Sequence, residues 1–361
     1  MWGAQTTLHA PQTAAASSSP PIQVALLLDT SNSMDGLIEQ AKSQLWRILL
    51  ELTKAEKDGQ NPDIEIALYE YGNNSLNVRQ GFVRQVAAFT TDMDDISAKL
   101  FALTTNGGEE YCGQVIHDAL GQLQWSEEEA ALRLIYIAGN EPFSQGNLPF
   151  QQACAEAVGK EVIVNTIYCG DCQVGIQELW KRGAELGKGE YACINQDEAT
   201  VYIKTPYDEK LGQLNEALNE TYVAFGREGK KRMENQRQQD ANAEEYGVSN
   251  VADRTAFKAS SSYRNSSWDL VDAWLEDDSV LQQREELPES WQKLSDEEVS
   301  EKVKALHGER QNIQRQIRLT QKDREDWLAE QQAAKAENDQ LGASILQPLR
   351  EAAMRKGYTF R

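Results

Sequence analysis

The stretch VALLLDT, residues 24–30, is a continuous apolar run, the pattern of a central parallel strand buried on both faces. Apolar residues then recur at helical spacing (Leu37, Ile38, Ala41, Leu45, Ile48, Leu49, Leu52) until KDGQNPD ends the helix. DIEIALYEYG (63–72) and GFVRQVAAF (81–89) alternate as strands around the loop NNSLNVRQ. Two helical stretches follow, MDDISAKLFALTT and GQVIHDALGQL. Then come the apolar strand LRLIYIAG (132–139), a helix near 150–160 and the strand VIVNTIYCG (162–170). A helix at 174–187 and the short strand YACIN (191–195) precede a helix at about 207–225 that closes the unit. This alternation predicts an α/β fold with a doubly wound, mostly parallel sheet and helices on both faces.

The pattern changes after Gly226. GREGKKRMENQRQQDANAEEYG is polar and lacks an apolar stripe, so 227–267 reads as a linker or solvated helix. From 268 to 361 the chain reads as helical. Trp268 and Trp274 serve there either as a docking face or as an anchor to the chain's own core. Val299, Val303, Leu306, Ile313, Ile317, Trp327 and Leu328 lie near a 3–4 spacing that Arg310 and Arg324 interrupt. That spacing predicts an antiparallel hairpin packed on its own neighbours or a coiled coil that self-associates. The expected division is a tether at 1–21, an α/β unit at 22–226, the linker, and the helical region.

Charge narrows the choice of partner. Residues 1–226 hold 31 acids against 14 Lys and Arg, a net of −17, whereas the remainder nets −4. Such a field repels phosphate backbones and anionic lipid, so nucleic acid is not an expected partner. Cationic patches and divalent metals are the natural attractants. No apolar stretch approaches the roughly 20 residues of a membrane helix. MWGAQTTLHAPQTAAASSSPP lacks the basic start and apolar centre of an intact signal peptide and reads as a flexible tether. With the acidic surface, that tether points to a periplasmic or secreted location. The five cysteines, Cys112, Cys154, Cys169, Cys172 and Cys193, all lie in the first unit. Cys112, Cys169 and Cys172 fall on one edge of the predicted sheet, either as free thiols or as a disulfide bracing the loops there.

The apolar run stops at an acid and gives way to small hydroxyl residues: VALLLDTSNSMDG. In doubly wound sheets, ligands gather at the carboxyl ends of the strands, and Asp29 ends the first one. Hydroxyls two and four residues after an Asp bring oxygens from Asp29, Ser31 and Ser33 around one point, which suits a hard divalent cation. The same residues also read as a helix cap, with Ser31, Asn32 or Ser33 satisfying free N–H groups and Asp29 as a turn acid.

The strand ending in DTSNS, the amphipathic helix and the alternation together resemble a von Willebrand factor type A (VWA) domain over about residues 22–226. The resemblance implies a metal-ion-dependent adhesion site, in which Asp29, Ser31 and Ser33 hold Mg2+ or Mn2+ and the metal binds an acidic group on a partner protein. Two distant positions depart from the family. Where it supplies a Thr after a Gly-Gly turn, TTNGGEEYCG offers Glu109 or Glu110. Where it supplies an Asp at the end of the fourth strand, YIAGNEPF offers Gly139 or Asn140. A Glu bound to the metal would neutralise more of its charge and fill the position a partner's carboxylate would take, and loss of the Asp removes an oxygen that holds water. The expected site is thus an altered one, drawn from Asp29, Ser31, Ser33, Glu109, Glu110 and Asn140.

Enzymatic alternatives fare poorly. A phosphoaspartyl phosphatase needs a second acid two residues after the nucleophile, where Ser31 stands. There is no Walker loop and no nucleophile elbow. CGDC (169–172) leaves open a redox pair, though without the short thioredoxin pattern around it. The sequence therefore reads as a non-enzymatic protein-interaction chain, with a metal-independent scaffold acting through its C-terminal helices as the alternative and a hydrolase or redox enzyme as the third choice.

Overall fold

The computed structural model describes residues 19–197, 203–332 and 340–360; most of the expected tether lies outside them. The first part of the chain runs β1 (Ile22–Asp29), α1 (Asp35–Leu52), β2 (Ala55–Glu56), β3 (Ile64–Tyr71), β4 (Val83–Thr90), α2 (Met93–Phe101) and α3 (Cys112–Gln122). It continues through β5 (Leu132–Gly139), α4 (Phe150–Gly159), β6 (Ile163–Cys169), α5 (Cys172–Gln177), α6 (Trp180–Leu186) and β7 (Lys188–Ile194). The helical remainder comprises α7 (Asp208–Asn219), α8 (Gly229–Glu245), α9 (Val248–Lys258), α10 (Leu270–Glu276), α11 (Asp296–Gln332) and α12 (Gln340–Arg355), ending in β8 (Thr359–Phe360).

The main sheet has the order β4-β3-β1-β5-β6-β7, parallel throughout except for the antiparallel edge strand β4. This is the doubly wound, mostly parallel sheet that the alternation predicts. Successive residues of β1 point to opposite faces. Val24 and Leu28 join a core with residues of α1, α2 and α12, whereas Ala25 and Leu27 join one with residues of α3, α4 and α6. β1 lies between β3 and β5, where the strand order reverses, so the crevice expected to hold ligands opens at its carboxyl end.

The helix expected to close the α/β unit does not cover the sheet. α7 packs on α9 and α11, and the sheet face beside β5 and β7 is covered by α12. Leu341, Ile345 and Leu349 sit in one core with Val24 and Tyr136, and the Tyr136 hydroxyl donates to the Ile345 carbonyl at 2.8 Å. β8 then pairs with β2, tying the end of the chain to the end of α1. Helical periodicity marks a helix but not its neighbour, so sequence order suggested the wrong one.

The expected linker at 227–267 is also corrected, because α8 and α9 are docked against the first unit through buried charge. Arg254 is 1% exposed and donates to Asp94 at 2.7 Å and to Asp240, with its guanidinium 4.2 Å from the centre of the Trp46 ring. Lys258 is fully buried and reaches Asn215 at 2.8 Å, Asn219 at 2.6 Å and Asp240 at 3.1 Å. Burial pushes the Asp240 carboxyl up, but Lys258 and Arg254 pull it well below the usual carboxylate range. A search for apolar stripes passes over a helix held by satisfied ion pairs.

The same reason corrects the coiled-coil expectation for α11. Its two interruptions are buried pins: Arg310 pairs with Asp269 and Asp272, both at 2.6 Å, and Arg324 with Asp208 at 2.8 Å and Asp253 at 2.7 Å. Ile313 and Ile317 lie in the main core, so this face of α11 is covered by the chain itself. Trp268 is buried and packs on Tyr222, an anchor rather than a docking face.

Candidate functional site

The end of β1 carries the first component. Asp29 is fully buried, in register with Tyr71 at the end of β3. Its Oδ1 accepts from the Ser31 amide at 2.7 Å, while its Oδ2 has no hydrogen-bond partner. The serines that follow do not cap α1. Met34 occupies the cap position and no side chain bonds the free amides there, so the helix-cap reading of DTSNS fails. The Ser31 and Ser33 hydroxyls instead face each other at 3.4 Å, and the Gln196 side chain fixes the loop by donating to the Ser33 carbonyl at 2.8 Å.

The loop before α3 supplies the second component. Asn106 donates its amide to the Thr30 carbonyl at 3.0 Å, and Asn73 bonds Thr104 at 2.9 Å, locking 104–110 against the β1 loop. Of the two glutamates, Glu110 turns inward and is 4% exposed. Glu109 does not join the site: it is exposed and accepts from the Tyr111 hydroxyl. Gly72, at φ +80°, separates the two buried carboxylates; a Cβ there would lie 2.7 Å from Asp29 Oδ1 and 2.8 Å from Glu110 Cγ. The turn after β5 adds Asn140, whose amide donates to Ser33 Oγ at 3.1 Å. Position 139 must be glycine, since a Cβ would fall 2.5 Å from the Tyr71 hydroxyl and 3.0 Å from Asp29 Oδ2. An aspartate could not stand there.

Electrostatics set these groups apart. Burial drives the Asp29 carboxyl up to about 7, with Ser31 hydrogen bonding lowering it part-way and the charge of Glu141 raising it. Burial likewise drives Glu110 to about 8, with the charges of Asp29 and Glu141 adding to the rise. No Lys, Arg or His pairs with Asp29, Glu110 or Glu141 among the described residues. Glu141 is the member that sequence reasoning missed. It adjoins Asn140, and only its place beside the β1 loop gives it meaning.

Among the described residues no group of three His, Cys, Asp or Glu surrounds one point. A cation here would therefore draw on Asp29, Glu110, the two serine hydroxyls and Asn140 together. That all-oxygen set suits a hard divalent ion, and the orphaned Asp29 Oδ2 is the atom that most lacks a counter-charge.

No family model matches the chain, and no curated protein matches it. Solved structures similar to it include the conserved hypothetical protein BatB from Bacteroides thetaiotaomicron, at 17% identity over 48% of this chain and 90% of that one, with a TM-score of 0.37. The SpRpn10 VWA domain follows at 15% identity over 48% of this chain and 88% of its own, TM-score 0.37. Proximal thread matrix protein 1 from the mussel byssus, solved with a zinc-occupied MIDAS motif, gives 13% identity over 50% and 43%, TM-score 0.38. Identities this low speak to the fold alone.

The cysteines are arranged otherwise than expected. Cys172, at the start of α5, is bonded to Cys193 in β7, while Cys112, Cys154 and Cys169 are buried free thiols. Neither a CGDC disulfide nor one joining Cys112 to that pair forms. Burial raises the thiols of Cys112 and Cys169 well above their usual range, the reverse of what a redox nucleophile needs.

Proposed function

We propose that this chain is a non-enzymatic protein-interaction module that binds a divalent cation, Mg2+ or Mn2+, at the carboxyl edge of its sheet and docks a protein partner there. One observation carries the reading: Asp29 Oδ2 is fully buried without a partner, beside two serine hydroxyls that cap nothing. A buried carboxylate with no counter-charge is unfavourable, and a cation relieves it. Asp29 and Glu110 would ligate the ion, with Ser31, Ser33 and Asn140 completing the oxygen set. The ion supplies a fixed positive centre that locks the β1 loop to the loop before α3. Glu110 then takes a place that a partner's acid would otherwise fill.

The same site offers no nucleophile–base pair for hydrolysis. The Cys172–Cys193 disulfide supports a periplasmic or secreted location, where such bonds persist. Titration calorimetry of the full chain with Mn2+ tests the reading. One-site uptake that Asp29→Ala abolishes supports it, and no uptake by the unaltered chain overturns it. A partner captured from native extract in Mg2+ but not in EDTA supports metal-dependent docking.

A further inference from the structure

Charge at the metal edge points to the chemistry of the partner. The two carboxylates that would hold the ion, Asp29 and Glu110, already balance a dication. Glu141 lies close enough to act electrostatically on both, and it has no basic partner among the described residues. The surrounding loops deepen the imbalance. Segments 30–35, 102–111, 140–149, 170–171 and 195–197 contain no Lys, Arg or His and add Asp35, Glu109, Asp171 and Asp197 to the rim. Arg79 and Lys204 are the bases on the neighbouring loops, 72–82 and 203–207. Acidity alone would mark only a solvated surface. Here the orphaned Oδ2 of Asp29, fully buried and turned toward the Gly139–Glu141 turn, shows that the acidic rim surrounds a real deficit of positive charge.

We infer that the partner offers this edge a lysine or arginine side chain, seated on Glu141 beside the metal, rather than an acid seated on the metal itself. This rests on the proposed metal site and reverses the polarity of the group it captures. A carboxylate approaching the loaded site would meet a neutralised cation and the charge of Glu141. An ammonium or guanidinium meets an uncompensated carboxylate at an edge where charge complementarity favours it.

The test uses the full chain in Mg2+, with two labelled peptides of equal length, one bearing lysines and one bearing glutamates, followed by fluorescence anisotropy. The lysine peptide is expected to bind, to weaken about fivefold or more with Glu141→Gln, and to weaken further with salt. Glu127→Gln, on the exposed loop after α3, should leave binding unchanged. Metal-dependent capture of the glutamate peptide overturns the inference, as does binding of neither peptide, or lysine-peptide binding indifferent to Glu141→Gln. Mn2+ uptake measured without peptide separates the two claims. Uptake with glutamate-peptide capture sinks this inference alone, whereas no uptake with Glu141-dependent lysine binding sinks the metal reading alone.

Discussion

The carboxylates of Asp29 and Glu110 meet across Gly72, one from the end of the central strand and the other from the loop before α3. Gly72 leaves the space between them that a Cβ would fill, at 2.7 Å from one and 2.8 Å from the other. Two buried acids placed this way repel each other unless a proton or a cation lies between them, and each behaviour of the site below follows from that contact.

Asp29→Asn removes one of the two charges. In metal-free buffer at pH 8 the variant should be more stable than the parent by about 1–3 kcal/mol, since a buried unpaired charge is gone. It should also lose metal uptake. Urea unfolding with and without Mn2+ checks both.

Stability of the metal-free chain should fall as pH rises. The folded-state values of Asp29 and Glu110, about 7 and about 8, lie above those of ordinary carboxyls, so the folded chain holds protons that the unfolded chain has released. Their contribution is full below about pH 4 and is lost as pH rises through 7 to 8. Mg2+ or Mn2+ replaces those protons, so the metal-induced rise in Tm should be larger at pH 8 than at pH 5.5. Thermal scans at the two pH values, in EDTA and in metal, decide it.

Gly139→Ala should destabilise the fold by about 1–3 kcal/mol, because its methyl must displace the Tyr71 hydroxyl or Asp29. Gly139→Asp should do worse and should not improve metal affinity. Chemical denaturation and calorimetry read the two effects.

Arg254→Met breaks a buried pair on each side, with Asp94 and Asp240, and should cost about 3–5 kcal/mol. Because Asp94 belongs to α2 and Asp240 to α8, the parent should unfold in one transition and the variant in two. Calorimetric scans of parent and variant distinguish these.

Leu349→Ala, on the helix that covers the sheet, should cost about 2–5 kcal/mol. Removing 340–361 should leave Leu26, Leu28 and Tyr136 uncovered and yield an aggregating protein. Light scattering and yield of soluble chain report on it.

Much of this was legible along the chain. The period-two and 3.6-residue patterns alone determine β1, β3, β5, β6 and the helices between them, because burial on a pleated or helical surface imposes those periods on neighbouring residues. Asp29, Ser31 and Ser33 were legible as well, since they lie within one turn of each other. Tertiary structure decided what depends on residues far apart. It turned Glu110 inward and Glu109 outward, brought Glu141 to the same carboxylates, bonded Cys172 to Cys193, and laid α12 rather than α7 on the sheet. It also turned Arg254, Arg310 and Arg324 from interruptions in a pattern into the pins of one folded body. A local pattern records which residues avoid water, but the partner that satisfies a buried charge can come from anywhere in the chain, and only the packed fold names it.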